Sequence, residues 1–369
     1  MTRTHTLALA LLLVAVSVLA NLYGPYRLIN DGHDIGVYFE RGLWIFPGRQ
    51  AYSDVFSEYP QVATAFFALP HLLANNWIHT TADVAPYRYV FTALMAILLA
   101  ITVQRTHALR HDRKALAFLL LLPAGWYFAH NRFDIIPALL TLLALDALRR
   151  DRLRLAFAVL GAATMTKWYA LVIAPVFAVY LWQTRRQALV PCLAVYGGTV
   201  GLLVLPTLLS AGLDGFLVPY RFHLGRSFNQ ENLLAILLRT GLFDWVPQAA
   251  LFKLFLAGQL AAVPLCLRAR VDTWERVLQW SALSILCFML FAKFYSPQWL
   301  LWVTPMLILL VRRPAEIGGI VVLDLVTFVY FPLLFDRQSD LRPLLDLAVA
   351  AKTLLVGAWI VHLLRRPEA

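Results

Sequence analysis

The chain has 369 residues, of which 60% are hydrophobic and 14% charged, and its mean hydropathy is +0.68. A soluble domain of this length has no use for so much apolar surface, which excludes the ordinary soluble classes. The formal net charge of +11 is no nucleic-acid footprint either: the cations fall in small clusters between apolar runs, the pattern of cytoplasmic loops in a polytopic membrane protein.

A spanning helix needs about 20 mostly apolar residues. Arg3 and His5 precede the first such run, Leu7 to Leu22. Val18-Leu19-Ala20 resembles a signal-peptide cleavage site only weakly, so the run is expected to remain as a span over 6–23, with Asn21 onward emerging outside. A long first loop, about 24–86, follows, with Asp31, His33, Asp34, Glu40, Arg41, Asp54 and Glu58. Inside it lies an apolar run, Gln61 to Trp77. If that run crossed the bilayer, the basic clusters at 105–114 and 149–154 would face outward, against the positive-inside rule. It also holds Pro70, His71, Asn75 and Asn76. An amphipathic helix over about 60–77, lying on the outer interface, is therefore expected.

Further spans are expected at 86–104, 115–130, 133–148, 155–166, 168–183, 188–209, 247–267, 275–292, 298–311, 316–334 and 343–363, about twelve in all, with both termini inside. This arrangement puts every basic cluster in the cytoplasm: Arg105 to Lys114, Arg149 to Arg154, Arg185 and Arg186, Arg268 to Arg276, Arg312 and Arg313, and Arg365 and Arg366. The chain then reads as one all-α transmembrane domain over 1–369. Cys192, Cys266 and Cys287 sit in apolar runs without metal spacing, as small buried hydrophobes. Trp126, Tyr127, Trp168 and Trp299, at span ends, suit an aromatic belt.

The outer connectors carry the unusual polar residues. They are His130-Asn131-Arg132-Phe133-Asp134, the surroundings of Lys167, a loop from Leu213 to Trp245, and Lys293 to Gln298. The fourth-loop residues include Tyr220-Arg221-Phe222-His223, Arg226, Asn229, Gln230 and Glu231. Arg132, Lys167 and Lys293 lie where hydrocarbon meets the boundary. Each of them could simply snorkel; together they suit a lipid phosphate, which takes charge-assisted hydrogen bonds from Arg and Lys. Transfer of a sugar from a phospholipid-linked donor needs one carboxylate to take the acceptor's proton and cations to neutralise the leaving phosphate. No Walker loop, HExxH or GxSxG motif is present.

The first loop reads Asp34-Ile35-Gly36-Val37-Tyr38-Phe39, then Gly48-Arg49-Gln50-Ala51-Tyr52-Ser53-Asp54, then Glu58-Tyr59-Pro60. It resembles the corresponding loop of GT-C membrane glycosyltransferases, which include the polyprenyl-phosphate-mannose-dependent mannosyltransferases of actinobacteria and the first mannosyltransferase of GPI-anchor synthesis. Other segments match in the same order. Asn131-Arg132 is similar to the family's outer Asn-Arg turn, and Thr166-Lys167-Trp168-Tyr169 to its Lys with an aromatic pair. Tyr220-Arg221-Phe222-His223 with Arg226, Phe228 and Asn229 resembles its Tyr-His…Arg…Asn-Phe loop, and Lys293 to Trp302 its Lys…Ser-x-Gln/Tyr…Leu-Trp segment.

The resemblance implies a GT-C fold and an inverting transfer of a sugar, mannose foremost, from a polyprenyl-phosphate donor. The acceptor would be a cell-envelope glycolipid or glycan, and the active site would lie on the non-cytoplasmic face of the cell membrane. Asp34 would be the general base. Arg132, Lys167, Arg221, His223 and Arg226 would hold the donor phosphate, and Tyr59 would wall donor from acceptor. Asp31, Glu58, Lys293 and Gln298 are further substrate-binding candidates. Plainer roles stand beside these: Asp34 as a loop acid or helix cap, Asp31 as a turn residue, Glu58 as an acid at a helix start, and Asp134 as a structural partner of Arg132.

The chain has Gly32-His33-Asp34 where many eukaryotic members have Asp-x-Asp, so no metal and no cofactor is expected. Tyr59-Pro60-Gln61 replaces the frequent Tyr-Pro-Pro, and the large soluble C-terminal domain of some members is missing. The partners implied are membrane lipids, the donor and the acceptor, with no nucleic acid, in a monomer. A transporter or flippase for lipid-linked glycans and a lipid-binding scaffold are the rival classes. The first would place its polar groups near the midplane, and the second would need no acid at Asp34.

Overall fold

The computed structural model describes residues 1–74, 84–229, 232–241, 245–337 and 340–366. Asn75 to Trp77, the end of the expected interfacial helix, and Gln230 and Glu231 of the expected fourth loop lie outside these. Sixteen α-helices and no strand occupy the described residues. In chain order they are α1 Arg3–Tyr23, α2 Gly32–Gly42, α3 Gln61–Leu73, α4 Val84–Leu109, α5 Pro123–Asn131, α6 Ile135–Arg149, α7 Leu153–Thr166 and α8 Ala174–Thr184. There follow α9 Arg186–Gly225, α10 Leu233–Arg239, α11 Gln248–Leu260, α12 Ala262–Arg268, α13 Trp274–Leu290, α14 Leu300–Leu310, α15 Pro314–Phe328 and α16 Arg342–Leu364.

Six helical segments among the described residues have the length and composition to cross a membrane: Arg3–Tyr23, Val84–Leu109, Arg186–Gly225, Gln248–Arg268, Pro314–Leu334 and Arg342–Leu364. The shortest have 21 residues, which at 1.5 Å per residue is about 31 Å, enough for a hydrocarbon core of about 30 Å. The chain is therefore an all-α protein with the apolar helices of a membrane protein.

The other expected spans are shorter or interrupted, for local reasons. The run 115–130 is a 3₁₀ stretch, Lys114–Leu121, followed by α5. Pro123 has no N–H to continue the preceding turn but fits a helix's first position. Lys167 has extended backbone (φ −158°, ψ 126°) and ends α7. α9 joins two helices across a kink at Gly212, whose φ of +65° a side chain would resist, so the stretch from Leu213 opens on a helix that runs to Gly225. Tyr220, Arg221 and His223 thus sit on a helix.

The first loop holds α2 as well as α3. The expected interfacial helix is shorter than its sequence run and is packed rather than laid free. It buries Ala63, Thr64, Phe67, Ala68 and His71, against α2, α4 and α7. The His71 Nε2 lies 2.8 Å from the Phe39 carbonyl. At Gly42 the two helices approach so closely that a Cβ would sit 2.3 Å from the Phe67 carbonyl oxygen.

The chain divides into two compact units. The first comprises Met1–Ala117, Trp126–Ala170 and Pro191–Gly225. Its centre is α6, packed on α7 and α4, with α1 against α4. The second comprises Phe118–Gly125, Leu171–Val190 and Arg226–Ala369. It is centred on α13, against which α8, α11, α14 and α16 pack. All three cysteines are buried and free. Tyr127 and Trp299, expected in an aromatic belt, are buried instead. Tyr127 donates to the Arg27 carbonyl, and Trp299 stacks on Trp302 at 4.7 Å.

Within the second unit Asp324, deep in the apolar α15, accepts from the backbone N–H groups of Ala124 and Gly125 at 3.0 and 2.9 Å. A helix start has N–H groups with no partner of its own, and a carboxylate there is favoured by the helix dipole. A carboxylate in an apolar helix is tolerated only when hydrogen-bonded. Asp324→Ala strands both donors and should cost about 1–3 kcal/mol. Asp324→Asn, which keeps one acceptor, should cost less. Thermal denaturation in detergent micelles checks both, and equal melting of Asp324→Ala and the native chain would remove the capping role.

Candidate functional site

The helix α2 starts where Asp31 caps it, its Oδ1 accepting from the His33 N–H at 3.1 Å. Ile35, Tyr38, Phe39 and Gly42 then recur at helical spacing and are buried. The chain ahead of α2 is tied to the end of α5 by one side chain. Asn131 Oδ1 accepts from the Asp31 N–H at 2.9 Å, and its Nδ2 donates to the carbonyls of Ile29 and Tyr127 at 2.8 and 3.0 Å.

Arg132 follows directly. Its Nη2 pairs with Asp31 Oδ2, its Nε lies 2.7 Å from Asp34 Oδ2, and its Nη1 donates to the Asn131 carbonyl at 3.2 Å. The arginine side chain is 4% exposed, against 12% for Asp31 and 23% for Asp34. Tyr38 reaches Asp34 Oδ2 at 3.5 Å. Asp34 Oδ1 has no hydrogen-bond partner among the described residues. Burial alone would raise the Asp31 carboxyl, but the Arg132 charge and hydrogen bonds hold it below its usual range. Burial would lower Arg132, yet Asp34 and then Asp31 hold it well above the usual guanidinium value. The lowered Asp31 carboxyl stabilises the fold above the usual carboxylate range, and that contribution is lost as pH falls through its depressed value.

A second ion pair adjoins the first. Lys167 Nζ donates to Asp134 Oδ1 at 2.7 Å and lies 4.5 Å from the centroid of the Phe133 ring. Asp134 is fully buried and accepts from Lys167. The extended backbone at Lys167 carries its side chain away from the α7 axis, toward the start of α6. Phe133 joins the two pairs: it meets Tyr38, Tyr59 and Phe67 edge-on at 5.1 to 5.4 Å, and Tyr38 stacks on Phe67 at 4.6 Å. Burial, and then the charges of Asp34, Glu58 and Asp134, keep the Tyr59 phenol protonated.

The remaining expected residues divide. Glu58 is held by Arg41 Nε at 2.8 Å, and its carbonyl lies 3.0 Å from His223 Nε2. His223 and Tyr220, three apart on α9, both meet Trp168, Tyr220 stacking at 4.6 Å. Trp168 directly follows Lys167, so this aromatic group borders the second ion pair. Arg221 points elsewhere, into an exposed pair with Asp214 at 2.9 Å.

Arg226, Lys293 and Gln298 belong to the second unit. There Arg226 lies 3.4 Å over the Phe294 ring, and Lys293 lies 4.9 Å over Phe252. Burial lowers the Lys293 ammonium below its usual value. Gln298 is buried in a 3₁₀ turn. Asn229 and Tyr295 tie this region by two hydrogen bonds, at 2.6 and 3.0 Å. Sequence reasoning passed over Lys352, which is buried midway along α16 with its Nζ 3.4 Å over the Tyr295 ring. A lysine ten residues into an apolar run was the signal for it.

Chemically, the first unit presents a carboxylate with one oxygen locked and one open, beside two buried ion pairs in an aromatic shell. Among the described residues no group of three or more His, Cys, Asp or Glu could hold a metal ion. Breaking one partner of a buried pair costs about 3–5 kcal/mol, far more than replacing both. Asp134→Ala should therefore lower stability by that amount, and Asp134→Ala with Lys167→Met should recover most of it. Thermal unfolding of the single and double variants in detergent checks this, and additive losses would contradict the coupling. No protein-family model and no curated protein matches the chain.

Proposed function

We propose that the chain is a membrane glycosyltransferase of the GT-C type. It moves a sugar, mannose foremost, from a polyprenyl-phosphate donor to a cell-envelope glycolipid or glycan, with inversion, on the non-cytoplasmic face. The observation that carries this reading is Asp34. It is the acid that the motif resemblance singles out, and its Oδ1 is open while Arg132 holds its Oδ2.

In this reading the acceptor hydroxyl gives its proton to Asp34 Oδ1 as its oxygen bonds to the anomeric carbon. The bond from that carbon to the phosphate oxygen breaks, and its electron pair leaves with the polyprenyl phosphate. A phosphate is a good leaving group once cations neutralise it, so one carboxylate suffices. Lys167, and His223, whose ring meets Trp168, serve the phosphate. The substrate roles of Arg221, Arg226, Lys293 and Gln298 rest on their motifs.

The positive-inside rule, applied to helix direction, supports the outward face. Asp134 and Lys167 sit at one end of the α6–α7 pair, and Arg149, Arg150, Arg152 and Arg154 sit at the other. With 15 and 14 residues, these helices are only about 21–22 Å long, shorter than the hydrocarbon core. With the arginines among the cytoplasmic headgroups, the site end is sunk toward the opposite interface. That depth suits a donor whose phosphate is tethered to a lipid. About twelve crossings and an outward site satisfy the positive-inside rule for every basic cluster.

Asp34→Asn membranes should bind the donor but transfer about 10²–10⁴-fold less sugar. The assay uses radiolabelled polyprenyl-phosphate-mannose, with arabinose and glucose donors in parallel. Full transfer by the variant would remove Asp34 as the base. For sidedness, Ser53→Cys should react with an impermeant maleimide from outside and Arg113→Cys only from inside. The reverse pattern would invert the topology.

A further inference from the structure

Arg132 was expected at the donor phosphate; in the structure its guanidinium is buried against two carboxylates of the protein itself. Its Nη2 pairs with Asp31, its Nη1 donates to the Asn131 carbonyl, and its Nε lies 2.7 Å from Asp34 Oδ2. A phosphate reaching it would have to displace a carboxylate from a buried cation. We propose that Arg132 and Asp31 are positioning residues for Asp34: Arg132 fixes which oxygen of Asp34 is open, and Asp31 takes up part of the charge that Arg132 would otherwise spend on it. This rests on the transferase reading above and assigns these two residues a task within it.

The reasoning is electrostatic. A lone guanidinium beside a carboxylate favours its charged form. A base held that way would be well oriented and poorly reactive. A second carboxylate on the same guanidinium offsets part of this loss while the orientation stays. Asp31 also covers the other half of the cycle. When Asp34 accepts the acceptor's proton it becomes neutral, and a buried Arg132 with no other counter-ion would be stranded at a cost of several kcal/mol. With Asp31 in place the cation keeps a partner, and the trio passes between one net negative charge and none.

The groups that bear on Asp34 come from each element around it. Asp31, His33 and Tyr38 come from α2 and its cap, Arg132 from the turn before α6, and Tyr59 from the segment before α3. Glu58, Asp134 and Lys167 supply the remaining charges near the aromatic shell. None but Arg132 is a cation in contact with Asp34 among the described residues.

The test uses full-length protein in liposomes, with transfer followed against donor concentration and pH. Asp31→Asn keeps the helix cap, since the asparagine oxygen accepts from the His33 N–H, and removes both the charge and the acceptor that faces Arg132. Its kcat should fall about 10-fold with the donor KM within twofold, and the acidic limb of the pH profile should move to lower pH. Arg132→Gln should move the same limb upward. If Arg132→Gln does not fold, Asp31→Asn decides alone.

A donor KM raised about 10-fold in Asp31→Asn, with the limb in place, would overturn the proposal and return the pair to substrate binding. An unchanged kcat and limb would overturn it too. Native protein that transfers no sugar from any donor overturns the transferase reading, and the positioning role falls with it. Transfer intact with an unmoved limb overturns the positioning role alone.

Discussion

A guanidinium carried into the interior of a membrane protein must take its counter-charge with it. Arg132 imposes that condition on the first unit. It sits in the short turn between α5 and α6, where the chain has little freedom to move it. Its compensation has to come from elsewhere, and it comes from about one hundred residues earlier. Asp31 and Asp34 are three apart, at the cap and in the first turn of α2, so a helix brings both carboxylates to one side. In an extended loop the same two residues would not converge. The cap of α2, the clamp by Asn131 and the fork of Arg132 are therefore parts of one solution. Lysine in place of Arg132 would offer a point charge and not a planar fork, and could not address two carboxylates in this way.

The aromatic shell makes the ion pairs matter. Tyr38, Tyr59, Phe67 and Phe133 surround the acids and cations with low-polarity groups. Charge interactions that would be weak in water are strong there. The same shell explains why two ion pairs are needed: burying Asp134 without Lys167 would be as unfavourable as burying Arg132 without its acids. Phe133 has two tasks, lying under the ammonium of Lys167 and against the rings that face Asp34. Chain order supports this economy, because Arg132, Phe133 and Asp134 are consecutive.

Much of this was legible in the sequence, and the failures have physical causes. Apolar runs located the long helices, since twenty consecutive apolar residues have few other uses. They failed at Pro123, where one residue's backbone preference interrupts a run that hydropathy treats as continuous, while the breaks at Lys167 and Gly212 fall where expected spans end. The helix α2 was missed although its evidence was present. Asp31 before Ile35, Tyr38, Phe39 and Gly42 is a cap followed by a helical stripe, but three glycines in eleven residues obscured it. Asp31, Asp34 and Arg132 were all singled out, and what sequence could not give was their mutual contact. The pair of Asp134 with Lys167 was likewise not legible, because it joins the start of α6 to the end of α7 across the fold.

Geometry also narrows which acid can take a proton. Asp134 is sealed from solvent and committed to Lys167. Asp31 has both oxygens engaged, one by its own helix and one by Arg132. Glu58 keeps a free oxygen but is less exposed, at 13%. Its partner Arg41 is shared with the exposed Glu40, so nothing fixes that oxygen's direction. Asp34 alone combines an open oxygen, the greatest exposure of the four and a rigid anchor on its other oxygen. A base needs access and orientation together. Access alone would favour the loop acids Asp54 or Glu40, and orientation alone would favour Asp31. In the transferase reading the two conditions meet at Asp34, because the buried Arg132 lies against one of its oxygens while the other stays open.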